Sequence, residues 1–189
     1  GDADRVLFVD PIGRVIDGDI ILWVISRWLK TKGLLGTGMT ATIMSNLALD
    51  EHLRNENIKI FRCPVGDRYV LKTMAEENSG LGGEQSGHVI IRSYTSTGDG
   101  LCTGFVFLKA LSDLGEDIRY LVDRFDRYPQ ILKNIVVHDK KILLEHPGFT
   151  SIVEDASRIL EGKGRIFIRP SGTEPLIRIL VEAKDRTLM

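Results

Sequence analysis

Between Thr40 and Phe61 the chain reads as strand, helix, strand, and that reading constrains the fold more than any other stretch. Thr40–Met44 is an apolar, β-branched run, Ser45 or Asn46 can cap a helix carrying Leu47, Leu49 and Leu53, and Ile58–Phe61 supplies a second strand. A βαβ unit of this kind requires a sheet with helices laid on its faces, which selects the α/β class.

The neighbouring segments extend the same grammar. Val6–Val9 reads as a short buried strand, Asp10–Gly13 as a turn into Arg14–Ile16, and Asp17 or Asp19 as the cap of a well-buried helix that runs through Trp23 and Trp28 and stops at Gly33. "PVGDRYV" at Pro64–Val70 leads into a polar helix ending near Glu77. "GLGGEQSGH" then reads as a glycine-rich loop before a strand at Val89–Ile91, and Asp99 or Thr97 caps a helix with Leu101, Phe105, Leu108 and Leu111 on one face.

The pattern changes between Leu114 and Tyr128. Beyond it come a strand at Ile131–Val137, a helix with Phe149, Ile152, Val153, Ala156, Ile159 and Leu160 on one stripe, and strands near Ile166–Ile168 and Leu176–Val181. The expected architecture is a mixed-sheet βαβ domain followed by a smaller α+β domain.

Composition removes several function classes. Across 189 residues, 25 basic side chains face 26 acidic ones, so the net charge of −1 gives no electrostatic case for nucleic acid or an anionic membrane as partner. Cys63 and Cys102 form no CxxC pair and suit idle thiols in a reducing compartment. The longest apolar run, Ile20–Ile25, is far short of the roughly 20 residues that span a bilayer, and no signal-peptide pattern opens the chain, so a cytoplasmic location is expected.

Three loops carry the polar chemistry. "RPSGTEPLIR" at Arg169–Arg178 puts two arginines, two hydroxyls and a glycine in one turn, a donor set that suits a phosphate dianion. It equally suits a polar hairpin whose arginines pair with Glu174 and Glu182. In "GGEQSGH", Glu84 and Ser86 can hydrogen-bond sugar hydroxyls, while His88 alone reads as readily as an ordinary half-buried histidine. Asp2 and Asp4 offer two hard oxygen donors at i and i+2, enough to begin a Mg²⁺ site and equally consistent with two solvated acids. "GTGMTA" at Gly36 follows a helix rather than a strand, the reverse of a dinucleotide-binding turn, and the four histidines lack metal-ligand spacing.

Taken in order, "GDADR", "GGEQSGH" and "RPSGTEP" resemble three signature loops of the α-D-phosphohexomutase superfamily, and together they cover essentially the whole chain. Within it, Gln85, the form of the "RPSGTEP" loop and "PVGDRYV" look most like bacterial members that interconvert glucosamine 6-phosphate and glucosamine 1-phosphate. The resemblance implies a phosphoserine enzyme working through a bisphosphate intermediate, with Mg²⁺ as cofactor and a phosphosugar as substrate.

It also assigns residues. Asp2 and Asp4 match two of three metal ligands of a D-G-D-x-D-R loop whose first aspartate lies outside the sequence, so residues 1–15 become the tail of a metal-binding second domain. Residues 16–118 become the sugar-binding third domain and 119–189 the phosphate-binding fourth, with a hinge near Arg119–Tyr128. Arg5 and His88 fall at positions of proton handling, and Glu84 and Ser86 at the sugar hydroxyls. Arg169, Ser171, Gly172, Thr173 and Arg178 fall at the phosphate. The phosphoserine loop has no counterpart in these residues, so this polypeptide alone is expected to be inactive and to need the N-terminal domains of the same protein. Two other readings stay open: a mutase of glucose or mannose phosphates, and a sugar-phosphate-binding module without catalysis.

Overall fold

The computed structural model describes residues 2–171 and 174–188 and divides into two compact units, Gly1–Asp126 and Arg127–Met189. The first opens with a two-stranded antiparallel hairpin, β1 (Phe8–Val9) and β2 (Val15–Ile16). Asp10 builds its turn, because one carboxylate oxygen accepts from the backbone N–H groups of Ile12 and Arg14 at 3.0 and 2.8 Å. The run before the turn alternates instead of being uniformly buried. Leu7 and Val9 face out, and Phe8 turns inward to meet Phe107 at 4.7 Å between ring centroids.

Helix α1 (Gly18–Thr31) begins at the Asp17 cap and is buried on nearly every side, as its near-continuous apolar sequence requires. The sheet follows: β3 (Met39–Thr42), helix α2 (Leu47–Asn55) capped by Asn46, β4 (Ile60–Cys63), helix α3 (Asp67–Glu76), β5 (Leu81–Gly83) and β6 (Val89–Ile91). Its strand order is β4-β3-β5-β6, with β3 parallel to both β4 and β5 and β6 antiparallel at the edge. The mixed sheet is therefore present, with one strand more than the sequence pattern offered. β5 lies where only a loop was expected, because its glycines are demanded by close packing. A Cβ on Gly82 would meet the Met74 sulfur at 2.5 Å, and one on Gly83 would meet the His88 carbonyl at 2.6 Å.

Helix α4 (Gly100–Leu114), capped by Asp99, corrects a second expectation. Its buried face is Thr103, Val106, Phe107, Ala110 and Leu111, whereas Leu101, Phe105 and Leu108 are 72%, 67% and 50% exposed. The helix is apolar nearly all round, so periodicity could not choose between faces. The N-terminal strand chose, by packing Val6 and Phe8 near Gly104.

Helix α5 (Ile118–Phe125) occupies the stretch expected as boundary and hinge, and it belongs to the first unit. Its buried Phe125 stacks on His52, with ring centroids 5.1 Å apart, and lies 5.9 Å from Trp23. Arg27 and Arg124 approach the Trp23 ring from 5.3 and 5.6 Å, and both pair with Glu116. The units divide at Asp126, inside the stretch where the sequence pattern changes.

The second unit is a three-stranded antiparallel sheet, β7 (Gln130–Val136), β9 (Leu176–Ala183) and β8 (Gly164–Pro170), in the order β7-β9-β8. Two helices, α6 (Lys140–Glu145) and α7 (Pro147–Leu160), connect β7 to β8. On α7, Phe149, Val153, Ala156 and Leu160 turn inward, while Ile152 and Ile159 of the expected stripe are more than 60% exposed. No described helix is long and apolar enough to cross a membrane.

Candidate active site

The first unit brings several of the expected residues to one place. Asp4, Arg5, Asp67, Glu84, Ser86 and His88 line an open cavity of about 270 Å³. Four structural elements meet there. The N-terminal segment bridges to the start of β6 through an antiparallel pair between Arg5 and His88, and its Val6 N–H donates to the Gly87 carbonyl at 3.2 Å. The N-terminus of α3 supplies Asp67, and the β5–β6 turn supplies Glu84 and Ser86.

Glu84 is fixed from both sides. One carboxylate oxygen accepts from the Gly66 N–H at 3.0 Å and the other from the Ser86 hydroxyl at 3.3 Å, while its own N–H donates to the His88 carbonyl at 2.9 Å. Gly87 closes the turn at φ +91°, and a Cβ there would stand 2.3 Å from the Val6 carbonyl, so only glycine fits. His88 is buried, with its Nε2 3.9 Å from an Asp4 carboxylate oxygen and no hydrogen-bond partner for Nδ1 among the described residues. Gly98 permits this placement, since a Cβ there would fall 2.1 Å from the His88 Nε2.

Arg5 sits between the two aspartates, 2.5 Å from Asp2 and 3.4 Å from Asp4. Its guanidinium holds the Asp2 carboxyl below the ordinary aspartate range, with the Asp4 hydrogen bond acting in the same direction. Asp2 and Asp4 are hard oxygen donors of the type Mg²⁺ prefers, and Ala3 at φ +62° turns the chain between them. Two carboxylates supply only part of an octahedral shell, and among the described residues no group of three or more His, Cys, Asp or Glu is arranged to hold a metal.

The remaining expected residues lie in the second unit. Arg169 and Arg178 are direct cross-strand partners on β8 and β9. Arg178 reaches Glu174 at 3.0 Å, while Glu182 is taken by Arg165 at 2.6 Å, so half of the alternative hairpin pairing is present. The Arg169 side chain has no hydrogen bond or ion pair among the described residues. The buried Ser171 hydroxyl accepts from the Glu174 N–H at 3.2 Å. Gly172 and Thr173 lie outside the described residues. Lys140, at the start of α6, donates to the carbonyls of Ser171 and Glu174 at 2.6 and 3.1 Å. Sequence reasoning missed it because thirty residues and a helix pair separate it from the loop it braces. Asp67 reaches the cavity from the N-terminus of α3.

The chain matches the family models for phosphoglucomutase/phosphomannomutase alpha/beta/alpha domain III over residues 17–128 and for the phosphoglucomutase/phosphomannomutase C-terminal domain over residues 132–189. It belongs to the phosphoglucomutase/phosphomannomutase family. Curated relatives include the phosphoglucosamine mutases of Desulforamulus reducens, 45% identical over 98% of this chain, and of Rhodopseudomonas palustris, 45% identical over the whole chain. The chain spans 42% of the length of either relative. Among solved structures, N-acetylphosphoglucosamine mutase of Aspergillus fumigatus, in complex with GlcNAc-6P and magnesium, superposes on the whole chain with a TM-score of 0.80 at 19% identity, matching 48% of its own length. A phosphoglucomutase/phosphomannomutase family protein from Burkholderia thailandensis gives 0.75 at 19% identity over 99% of this chain and 42% of its own. These two likenesses concern the fold.

Proposed function

We propose that this chain is the sugar- and phosphate-binding part of a phosphoglucosamine mutase, which interconverts glucosamine 6-phosphate and glucosamine 1-phosphate. The observation that carries the reading is the convergence of Asp4, Arg5, Glu84, Ser86 and His88 on one polar cavity, in a family member whose curated relatives are phosphoglucosamine mutases.

Moving a phosphate between two hydroxyls of one sugar is difficult in a single step. A phosphoserine donor outside these residues would phosphorylate the free hydroxyl, and the resulting bisphosphate, after turning around, would return its other phosphate to serine. Glu84 and Ser86 grip hydroxyls that look alike in the two orientations, the rigid Glu84 carboxylate accepting from them. Arg5 places a fixed cation beside the phosphoryl group. His88 accepts the proton of the attacking hydroxyl as the new P–O bond forms. Arg169, Ser171, Gly172, Thr173 and Arg178 hold the phosphate that does not react, with Lys140 bracing that loop by its carbonyls. Asp2 and Asp4 would be part of the shell of a Mg²⁺ ion, which when bound offsets charge on the transferring phosphoryl oxygens.

Catalysis on this reading needs the part of the protein that the relatives carry beyond the matched 42%. The test is conversion of glucosamine 6-phosphate by this chain alone and by the full-length protein. Turnover by the full-length protein alone supports the assignment. A full-length protein that turns over glucose or mannose 6-phosphate in preference to glucosamine 6-phosphate would move it to another branch of the family.

A further inference from the structure

Gln85 stands between Glu84 and Ser86, both of which line the cavity, yet Gln85 does not. Its polar groups are engaged by the first turn of α1. The backbone carbonyl accepts from the Gly18 N–H at 3.0 Å, and the side-chain amide donates to a carboxylate oxygen of Asp19 at 3.2 Å. Asp19 is fully buried, and the same oxygen accepts from the Asn46 N–H at 2.9 Å, in the turn between β3 and α2. One carboxylate thus ties the start of α1, the β3–α2 turn and the cavity loop together.

The fit leaves little room for the loop to shift toward the helix. A Cβ on Gly18 would stand 2.0 Å from the Glu84 carbonyl and 2.8 Å from the Gly87 nitrogen. A buried carboxylate is costly to hold without donors, and here two N–H groups converge on one of its oxygens at the positive end of a helix. Fixing Gln85 at both backbone and side chain fixes the directions in which its two neighbours project.

We infer that Gln85 is a positioning residue anchored by Asp19, and that the pair aims Glu84 and Ser86 at the sugar. What is bound rests on the function proposed above, whereas the anchoring does not, and the test separates them. Gln85→Met keeps length and volume but removes the amide donor, and Asp19→Asn, which keeps the shape, is the second variant should the first fail to fold. Hydrogen exchange on this chain is followed at the Glu84 and Gly87 amides, which bond to the His88 and Glu84 carbonyls, with buried α4 amides as the reference. Both cavity amides should exchange about tenfold faster in Gln85→Met while the α4 amides hold their rates. In the full-length protein the same variant should raise KM for glucosamine 6-phosphate about tenfold.

Unchanged loop exchange, or an equal rise in α4, would overturn the inference, since the pair would then be idle or merely structural. Faster loop exchange in a protein that does not act on glucosamine phosphate would sink the proposed function and leave the anchoring standing. Rise of KM in a wild-type-active enzyme, together with faster loop exchange, supports both.

Discussion

Arg169 stands directly opposite Arg178 across the β8–β9 ladder, so two guanidinium groups share one face of the sheet. Like charges placed this way repel by up to about 1 kcal/mol unless an anion lies between them. Of the two arginines, Arg178 is the one paired with Glu174 among the described residues. Arg169→Ala should therefore leave the melting temperature of the free chain unchanged or slightly higher, while weakening glucosamine 6-phosphate binding by about tenfold or more through loss of a charge-assisted contact. The loss should exceed that of His88→Ala in calorimetry. Equal losses in the two variants would argue against a division between anchoring and chemistry.

Gly98→Ala tests the placement of His88 without touching its chemistry. The new methyl would overlap the imidazole, and the ring must leave its position because the obstructing carbon is fixed to backbone. In the full-length protein kcat should fall about tenfold or more while phosphosugar affinity, set mainly by the other loops, changes little. An unaltered kcat would show that His88 takes no part in the rate-limiting chemistry.

The βαβ core was legible in sequence because its strands are β-branched and its helices are capped by Asn46, Asp99 and Asp17, signals that act over a few residues. The readings that failed did so for want of tertiary information. The Gly82–Gly83 strand looks like a loop until Met74 and the His88 backbone are seen pressing against it. The buried face of α4 depended on where Phe8 lands, and α5 on Trp23 and His52 from two other helices. Lys140 reaches its loop only through the sheet. Glu84, Ser86 and His88 come together through one tight turn whose spacing is local, whereas Asp4 and Arg5 join them only through the long-range Arg5–His88 bridge.

Acid should destabilise the first unit through Asp113. Its carboxylate accepts from Lys109 at 2.6 Å and from the Trp28 indole at 2.9 Å, with Lys32 3.4 Å away. Lys109 above all, then Trp28, lowers its pKa from 3.8 to about 2. A folded-state value below the unfolded one means that the unfolded chain binds the proton first. This contribution is complete above about pH 4 and is lost as pH falls toward 2. Urea melts of wild type and Asp113→Asn should diverge near neutrality and converge at pH 2. A gap that stays constant over that window would rule the linkage out.

Cys63 should behave as an inert thiol. It is buried among Val70, Met74 and Ile90, and burial, assisted by the charge of Glu84, pushes its pKa up to about 11. At pH 8 only about one molecule in a thousand carries the reactive thiolate, before any allowance for restricted access. Cys102 lies half-buried in the first turn of α4, so a Cys102→Ser variant isolates the Cys63 signal. In that variant, thiol labelling at pH 8 should run at least about a hundredfold slower than for an unstructured peptide thiol. It should accelerate only as urea opens the first unit, with a denaturant dependence matching global unfolding of that unit. Labelling at a peptide-like rate in native buffer would mean that the α3 face of the sheet opens locally, and that the loop bearing Glu84 is held far less firmly than its hydrogen bonds imply.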